Sequence, residues 1–153
     1  MSYVSSVLQP GETVLYETKL HWWIYLPAIG ILILALAFAI GSFFTPPQFG
    51  VVLLVAAGVV FLVTIPAFLR GFIARATTEL AVTSRRVIHK TGLFRRHTFE
   101  MNLSQVESVG VEQSILGRIF GFGELSIYGA GGNPQRIPTI RDPLSFRSHV
   151  TAG

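Results

Sequence analysis

The chain has 153 residues, of which 50% are hydrophobic and 13% are charged, and its formal net charge is +4. A mean hydropathy of +0.55 is too high for an average soluble domain, and the polar ends exclude a chain that lies in a membrane throughout. The lack of cysteine excludes a disulfide framework, a thiolate metal site and a thiol nucleophile. One membrane element joined to one compact domain fits these values.

Residues 1–23 are predicted to be a cytoplasmic segment that contributes one strand. Pro10-Gly11 is typical of a turn, and the run from Thr13 to Leu20 that follows has strand character. The expected partner of this strand is the sheet formed by residues after position 69. The β domain would then be interrupted in sequence by the apolar stretch between them.

Three aromatic residues, Trp22, Trp23 and Tyr25, mark the entry to that apolar stretch. Amphipathic rings settle at the depth of the lipid headgroups, so we predict that these side chains are interfacial anchors. The alternative is that they pack against a neighbouring domain.

No Asp, Glu, Lys, Arg or His occurs from Ile24 to Leu69. Thr45-Pro46-Pro47-Gln48 interrupts this stretch and leaves two runs, 24–44 and 49–69, each about 31 Å long as a helix against a hydrocarbon core of roughly 30 Å. We predict a transmembrane helical hairpin over 24–69. A signal peptide is the alternative for the first run, but its leader is long with a net negative charge, and a second apolar run follows at once.

Basic residues flank the predicted hairpin, with Lys19 before it and Arg70 and Arg75 after it. Because cytoplasmic flanks of membrane helices carry an excess of Lys and Arg, this bias predicts a multi-pass protein with both termini in the cytoplasm. The short loop at Pro46-Pro47 would face the opposite side.

Small residues form two pairs at a spacing of four on the first predicted helix: Ala35 with Ala39, and Ala37 with Gly41. Such pairs allow another helix to approach closely. Packing within the hairpin and a dedicated oligomer face both remain open. The side chains of the two helices are otherwise nearly all apolar, which disfavours an ion pathway, a proton relay or intramembrane catalysis, because these need polar groups at membrane depth.

From Thr77 onward, short alternating segments separated by glycine and polar turns predict an antiparallel β domain over residues 70–153. Strands are expected at 78–83, 86–90, 98–103, 106–111, 124–128 and 135–140. Gln113 to Gly123 is too rich in glycine for a long helix and predicts one short helical turn. Asp142-Pro143 predicts an N-cap followed by proline at the first position of a terminal helix that continues to about Val150.

Several of these runs are similar to one known family. They are 78–88, 100–103, 111–118 and 142–144, together with Pro10-Gly11-Glu12 and His21-Trp22. The chain resembles bacterial pleckstrin-homology domain proteins of the YdbS-like type, which carry membrane helices ahead of the domain. The resemblance implies a pleckstrin-homology-like fold, that is, two orthogonally packed antiparallel sheets forming a β-sandwich or partly open barrel closed by a short C-terminal helix. The expected fold class is therefore an α+β membrane protein, and the expected location is the bacterial cytoplasmic (inner) membrane.

The residues that could support catalysis or bind a metal are few. Asp142 is explained as a helix cap, and the histidines at 21, 89, 97 and 149 lack the spacing of metal ligands. Gly129-Ala130-Gly131-Gly132 lacks the Gly-Lys-Ser/Thr ending of a phosphate-binding loop. We therefore expect no catalytic residue, no metal and no cofactor, hence a protein that is not an enzyme. The cations accompany no nucleic-acid-binding motif, so no nucleic-acid partner is expected either.

Basic residues are concentrated just after the predicted hairpin: Arg70, Arg75, Arg85, Arg86, Lys90, Arg95 and Arg96. Each cation close to an anionic leaflet contributes about 1 kcal/mol to membrane attraction. We predict that these residues contact lipid headgroups and that the protein is a binding or assembly module at the cytoplasmic leaflet. In the opposing interpretation, Arg70 and Arg75 only fix topology and the others are solvated. The alternative function is an accessory subunit packed into a larger membrane complex, or a homo-oligomer, through its helices.

Overall fold

The computed structural model describes residues 3–93, 95–129, 132 and 134–152. Contacts divide the chain into two compact units. The first unit consists of residues 1–23 and 74–153, and the second consists of residues 24–73. Part of the predicted loop at 129–134, namely Ala130, Gly131 and Asn133, lies outside the described residues.

Two antiparallel sheets form the first unit, as the family resemblance implied, and the β pattern after Thr77 predicted their strands. The first sheet has the order β1-β2-β3-β4 and the second the order β5-β6-β7. The strands are β1 (Val14–Thr18), β2 (Glu79–Thr83), β3 (Arg86–Thr91), β4 (His97–Asn102), β5 (Val106–Glu112), β6 (Phe122–Gly129) and β7 (Gln135–Arg141).

The strand before the apolar stretch belongs to the same sheet as the strands after it. β1 pairs antiparallel with β2, with Val14 opposite Thr83 and Thr18 opposite Leu80. The end of β1 therefore lies beside the start of β2. The apolar stretch is an insertion between two adjacent strands, and both of its connections leave the domain from one end of the first sheet. We call this end of the domain the connection end.

The core of this unit is built from the strands, two of which have consecutive buried residues, and it is covered by a terminal helix. Leu80, Val82, Val87, Leu125 and Ile127 are fully buried. The covering helix, α5 (Pro143–Thr151), confirms the prediction of a capped terminal helix, since the Asp142 carboxylate accepts the backbone N–H of Ser145 at 3.3 Å. The Phe146 side chain on α5 is also completely buried.

Two short helices complete the first unit. The helix α1 (Tyr3–Val7) was not predicted, because one turn is too short to show helical periodicity. Its Val4 side chain packs on Ala81 and Ile88 of the first sheet. The helix α4 (Ile115–Phe120) occupies the segment for which one short turn was expected, between β5 and β6.

The second unit is a pair of apolar helices. A 3₁₀ turn (Trp22–Tyr25) leads into α2 (Leu26–Ser42), and α3 (Pro47–Thr77) follows a short turn. The α3 helix continues past Leu69 and carries Arg70 and Arg75, because helical hydrogen bonding does not require an apolar side chain at every position. By length and composition, Trp22–Ser42 and Pro47–Thr77 are candidate membrane spans, and only 11% of an 18-residue apolar stretch in each is buried.

Candidate functional site

A groove of about 960 Å³ lies at the connection end of the β domain. The continuation of β1 from Tyr16 to Trp22 forms one side of it, and the remaining lining residues are Arg75, Phe120, Gly121, Arg141 and Asp142. We call this the basic groove, because Lys19, Arg75 and Arg141 line it.

The basic groove exists because the chain beyond β1 joins the end of β7. Leu20 forms an isolated antiparallel bridge with Ile140. The backbone N–H of His21 donates to the carbonyl of Thr139 at 2.7 Å, and the Thr18 hydroxyl donates to the carbonyl of Arg141 at 2.7 Å. These bonds connect the first sheet to the second and place Lys19 beside Arg141. We call this connection the joint.

Two residues in this joint have backbone conformations that L residues rarely adopt. Thr139 has φ of 55° and Asp142 has φ of 48°. Left-handed backbone at residues other than glycine costs of order 1–3 kcal/mol each and persists where the surrounding contacts determine it. Here those contacts are the Thr139–His21 bond and the cap that Asp142 gives to α5. The strain is concentrated on both sides of Arg141, which is consistent with a functional position.

The electrostatics of the basic groove favour an anion. Three cations and two carboxylates, Glu17 and Asp142, line it, so the formal charge of these five side chains is +1; the Asp142 carboxylate keeps its charge while it caps α5. Burial lowers the pKa of His21, and the positive charges of Arg141 and Arg75 lower it further. Burial is the larger of these causes, and the two arginines add to it.

Only part of the predicted basic set lies at the connection end. Arg85 lies in the turn before β3, and Arg95 and Arg96 lie in the turn after it. β3 has six residues, so these two turns are about 20 Å apart at roughly 3.3 Å per residue. The pairing of Glu79 with Lys90 places the turn after β3 at the connection end. Arg95 and Arg96 are exposed there, whereas Arg85 lies at the opposite end and donates to the Gln9 side chain at 3.3 Å.

Arg86 is engaged inside the β domain. Its guanidinium forms ion pairs with Glu12 at 3.0 Å and Glu100 at 2.7 Å, and it also donates to the Val7 carbonyl at 2.7 Å. Burial alone would raise the pKa of Glu12, but hydrogen bonds from Arg86, the Gln9 backbone and Thr83 outweigh it and lower the pKa to about 2. Arg86 thus holds the N-terminal segment to the sheet.

Lys90 has a similar internal role. Its ammonium lies 3.7 Å from the Glu79 carboxylate and 5.3 Å from the centre of the Tyr3 ring. Glu79 in turn accepts the backbone N–H of Val4 at 3.2 Å. Both Lys90 and Arg86 therefore stabilise the docking of α1, and their charges are engaged within the β domain. Arg70 is exposed on α3 in the second unit.

The predicted aromatic anchors have partners in the structure. The Trp23 ring stacks on Phe122 with centroids 4.5 Å apart, and Trp22 contacts Phe120 edge-on at 6.2 Å. Packing on the β domain, the alternative noted from the sequence, is thus present, while Trp22 remains 41% exposed. In the second unit, Tyr25 stacks on Phe68 at 5.1 Å.

The small residues of α2 are not all on one face. Ala35 is buried, Ala37 is exposed, and Ala39 is half-buried. A Cβ atom added to Gly41 would come within 3.9 Å of the Leu53 side chain on α3. The Gly41 end of this set is therefore used for packing within the hairpin.

Sequence reasoning did not identify Lys19 and Arg141 as site residues. They are 122 positions apart, and no local pattern indicates that the strand ends carrying them meet. The one local pattern near the site was the helix cap at Asp142. A strand must end before a helix cap, so this pattern indicated the end of β7. Among the described residues, no group of three or more His, Asp or Glu is arranged to hold a metal ion.

Comparison with known proteins gives a family for this chain. A family model described as bacterial PH domain matches residues 25–151. A solved structure of a DUF1696 family protein with a pleckstrin-homology domain from Shewanella loihica PV-4 is 16% identical, over 49% of this chain and 68% of that chain, with a TM-score of 0.39. No curated protein matches the chain.

Proposed function

Because the chain belongs to the bacterial PH domain family, whose fold suggests a binding module, we propose that it is a membrane-anchored binding module whose basic groove contacts anionic lipid headgroups. In this proposal α2 and α3 cross the bacterial inner membrane as a hairpin. Residues 1–23 and 70–153 then form the cytoplasmic part, and both termini are cytoplasmic. The module binds and does not catalyse.

The exposure of the two apolar helices supports the membrane anchor. A core helix of a soluble protein is mostly buried, whereas only 11% of an 18-residue apolar stretch in each of these helices is buried. Large side chains such as Phe43, Phe49 and Leu62 are more than half exposed. So much apolar surface is unfavourable in water but suits hydrocarbon.

The position of β1 argues against a cleaved signal sequence. β1 precedes the first candidate span and pairs with β2, which follows the second. Cleavage after the first span would remove a strand from the first sheet. The strand pairing is more consistent with a retained hairpin.

One observation carries the headgroup proposal: Lys19, Arg75 and Arg141 line one groove at the end of the domain from which both connections to the apolar helices leave. Since Trp23 is bonded directly to Ile24, a span that begins there brings this end of the domain close to the membrane surface. The exposed Arg95 and Arg96 lie at the same end and add to the proposed contact. Each such cation contributes about 1 kcal/mol near an anionic leaflet.

The test uses the full chain, purified in detergent and titrated with phosphatidylglycerol or phosphatidylcholine, with bound lipid counted by native mass spectrometry. The double variant Lys19→Gln/Arg141→Gln should lose about 30-fold in affinity for the anionic lipid, because two cations are removed. A matched control, Arg85→Gln/Arg136→Gln, removes the same charge from exposed positions elsewhere and should retain the preference. Equal affinity of the wild type for the two lipids would refute headgroup recognition.

The accessory-subunit alternative has less support. It relies on Ala35, Ala37, Ala39 and Gly41 as a contact face, yet Ala35 is already buried in the isolated chain. A stoichiometric membrane protein that co-purifies in mild detergent, and that is lost on Ala37→Leu, would favour the alternative instead.

A further inference from the structure

The helix α4 exposes an apolar face. Ile115 is 79% exposed, Leu116 50%, Ile119 69% and Phe120 46%. We call these four residues the α4 apolar face. At about 100° per residue they cover an arc of roughly 140° on the helix, with Arg118 outside that arc. Exposed single apolar residues are ordinary, but four on one short helix form a surface that water does not favour.

This face is held outward by specific packing, so it is not a loose segment. A Cβ atom on Gly117 would lie 2.6 Å from the Phe122 carbonyl oxygen, so the back of α4 is in backbone contact with β6. The Gln113 side-chain amide donates to the same oxygen at 3.0 Å. The Ser114 hydroxyl caps the helix by accepting the N–H of Gly117 at 3.0 Å. These contacts make the opposite side of the helix face away from the domain.

The α4 apolar face lies at the connection end of the domain. α4 links the end of β5 to the start of β6, and Phe122 at that start is opposite Arg141 of the basic groove. Phe120 lines the groove and contacts Trp22 at 6.2 Å and Trp23 at 5.3 Å. The apolar face is therefore continuous with two tryptophans whose next residue, Ile24, begins the apolar stretch.

We propose that the α4 apolar face inserts into the interfacial layer of the bilayer, at the boundary between headgroups and acyl chains. The inference rests on the membrane anchoring proposed above and adds a contact surface to it. The chemistry of the rim supports a lipid occupant: Arg118 flanks the apolar arc, and Lys19 and Arg141 lie in the adjoining groove. Apolar side chains with cations beside them match an acyl layer covered by anionic headgroups, although the adjoining groove also holds the carboxylates Glu17 and Asp142. Insertion orients the domain with its basic groove against the headgroups.

The lack of cysteine allows a direct test in the full chain. Leu116→Cys, labelled with an environment-sensitive fluorophore and reconstituted in nanodiscs, reports on α4. Ser104→Cys is the matched control, since Ser104 is exposed and lies just before β5, roughly 20 Å of strand away from the α4 end. Lipids with a nitroxide at different acyl positions quench the fluorophore according to depth.

We expect quenching at position 116 and not at position 104. It should be strongest with the nitroxide near the headgroup end of the acyl chain, because interfacial helices lie about 5–10 Å deep. In the Leu116→Cys background, Ile119→Asp should shift the insertion equilibrium about tenfold toward the unquenched state, whereas Ile119→Leu should leave it unchanged. No lipid quenching at 116 overturns the inference, whether the label is in water or is shielded by protein. Shielding would indicate a second copy, a partner protein or the chain's own helices on the face.

The two proposals fail in distinguishable ways. Quenching at 116 that is equal in phosphatidylglycerol and phosphatidylcholine nanodiscs, with no lipid preference in the titration, retains insertion and rejects headgroup recognition. A clear anionic preference without quenching at 116 retains the groove and rejects insertion.

Discussion

The backbone N–H of Arg141 donates to the carbonyl oxygen of Lys19 at 3.1 Å. This bond ties the last residue of β7 to the residue that follows β1, and so it connects the two sheets at the connection end. It also brings together two cations from opposite ends of the chain. The basic groove therefore depends on the joint between the sheets as well as on the charges themselves.

The joint should be sensitive to loss of a single hydroxyl. Thr18→Val keeps the side-chain shape but removes the 2.7 Å bond to the Arg141 carbonyl, which should cost about 1–2 kcal/mol. The melting temperature of the β domain, followed by circular dichroism in detergent, should fall by about 4–8 °C per kcal/mol. Affinity for phosphatidylglycerol should fall with it. Thr13→Val, at an exposed position, is the control, and an unchanged Thr18→Val protein would contradict this account of the joint.

Glu12 should be important for stability although it is far from the groove. Its carboxylate is buried, pairs with Arg86 at 3.0 Å and accepts the Thr83 hydroxyl at 2.6 Å. Glu12→Gln leaves the Arg86 guanidinium without this charge partner, and breaking a buried pair costs about 3–5 kcal/mol. A large loss of thermal stability is expected, whereas Glu107→Gln, on an exposed strand position, should have little effect. If the two variants melt alike, the buried pair does not stabilise the domain.

Stability should decline with acidification in two steps. Burial lowers the pKa of His89 from 6.5 to about 4, so the unfolded state binds more protons between these values and stability falls as the pH decreases from 6.5 to 4. Folding lowers the pKa of Glu12 from 4.5 to about 2, so stability falls again as the pH decreases from 4.5 to 2. His89→Leu should reduce the upper step, to which His21 with its lowered pKa also contributes, and leave the lower one. Melting curves at intervals of half a pH unit would show this, and an unaltered upper step in His89→Leu would exclude His89 as its source.

Gly117 should be intolerant of any side chain. A methyl group there would meet the Phe122 carbonyl oxygen at 2.6 Å, so Gly117→Ala must displace α4 from β6, at a cost of about 1–3 kcal/mol. Gly58→Ala is a control without steric conflict, since no atom lies within 4 Å of its added methyl. The comparison needs only the melting temperatures of the two variants. Equal melting temperatures would mean that α4 is not packed tightly on β6.

Removal of residues 1–20 should destabilise the β domain itself. The deletion takes away β1, which pairs with β2, and α1, whose Val4 covers Ala81 and Ile88. Deletion of residues 1–8 removes only α1 and should have a smaller effect. A graded loss of thermal stability is expected, and unchanged unfolding of the 1–20 deletion would refute the role of β1 in the sheet.

Much of the fold could be predicted because it rests on local patterns. Alternation of apolar and polar residues indicated the strands after Thr77, and Asp142-Pro143 indicated the start of the terminal helix. The two antiparallel sheets and the pleckstrin-homology-like domain followed from these patterns and from the family resemblance. α1 was missed because its single turn is stabilised by contacts with Ala81 and Ile88, distant residues that no local pattern reveals.

The candidate site was harder to predict, because the positions of charged residues in a sequence do not indicate where their side chains lie in the fold. The density of Arg and Lys after Leu69 suggested one basic surface. The pairing of β3 with its neighbours places Arg85 and Arg96 at opposite ends of a strand, and Arg86 is used by Glu12 and Glu100.

The sequence by itself determined that this protein has an uncharged stretch long enough for two spans, followed by a β domain with excess positive charge. Apolar length and alternation are properties of neighbouring residues, so they can be read without the fold. Only the tertiary structure decided that Lys19 and Arg141 share a groove and that Phe120 meets Trp22 and Trp23. These contacts join residues about 100 or more positions apart. They form because β1 belongs to a sheet whose other strands follow the apolar stretch in sequence.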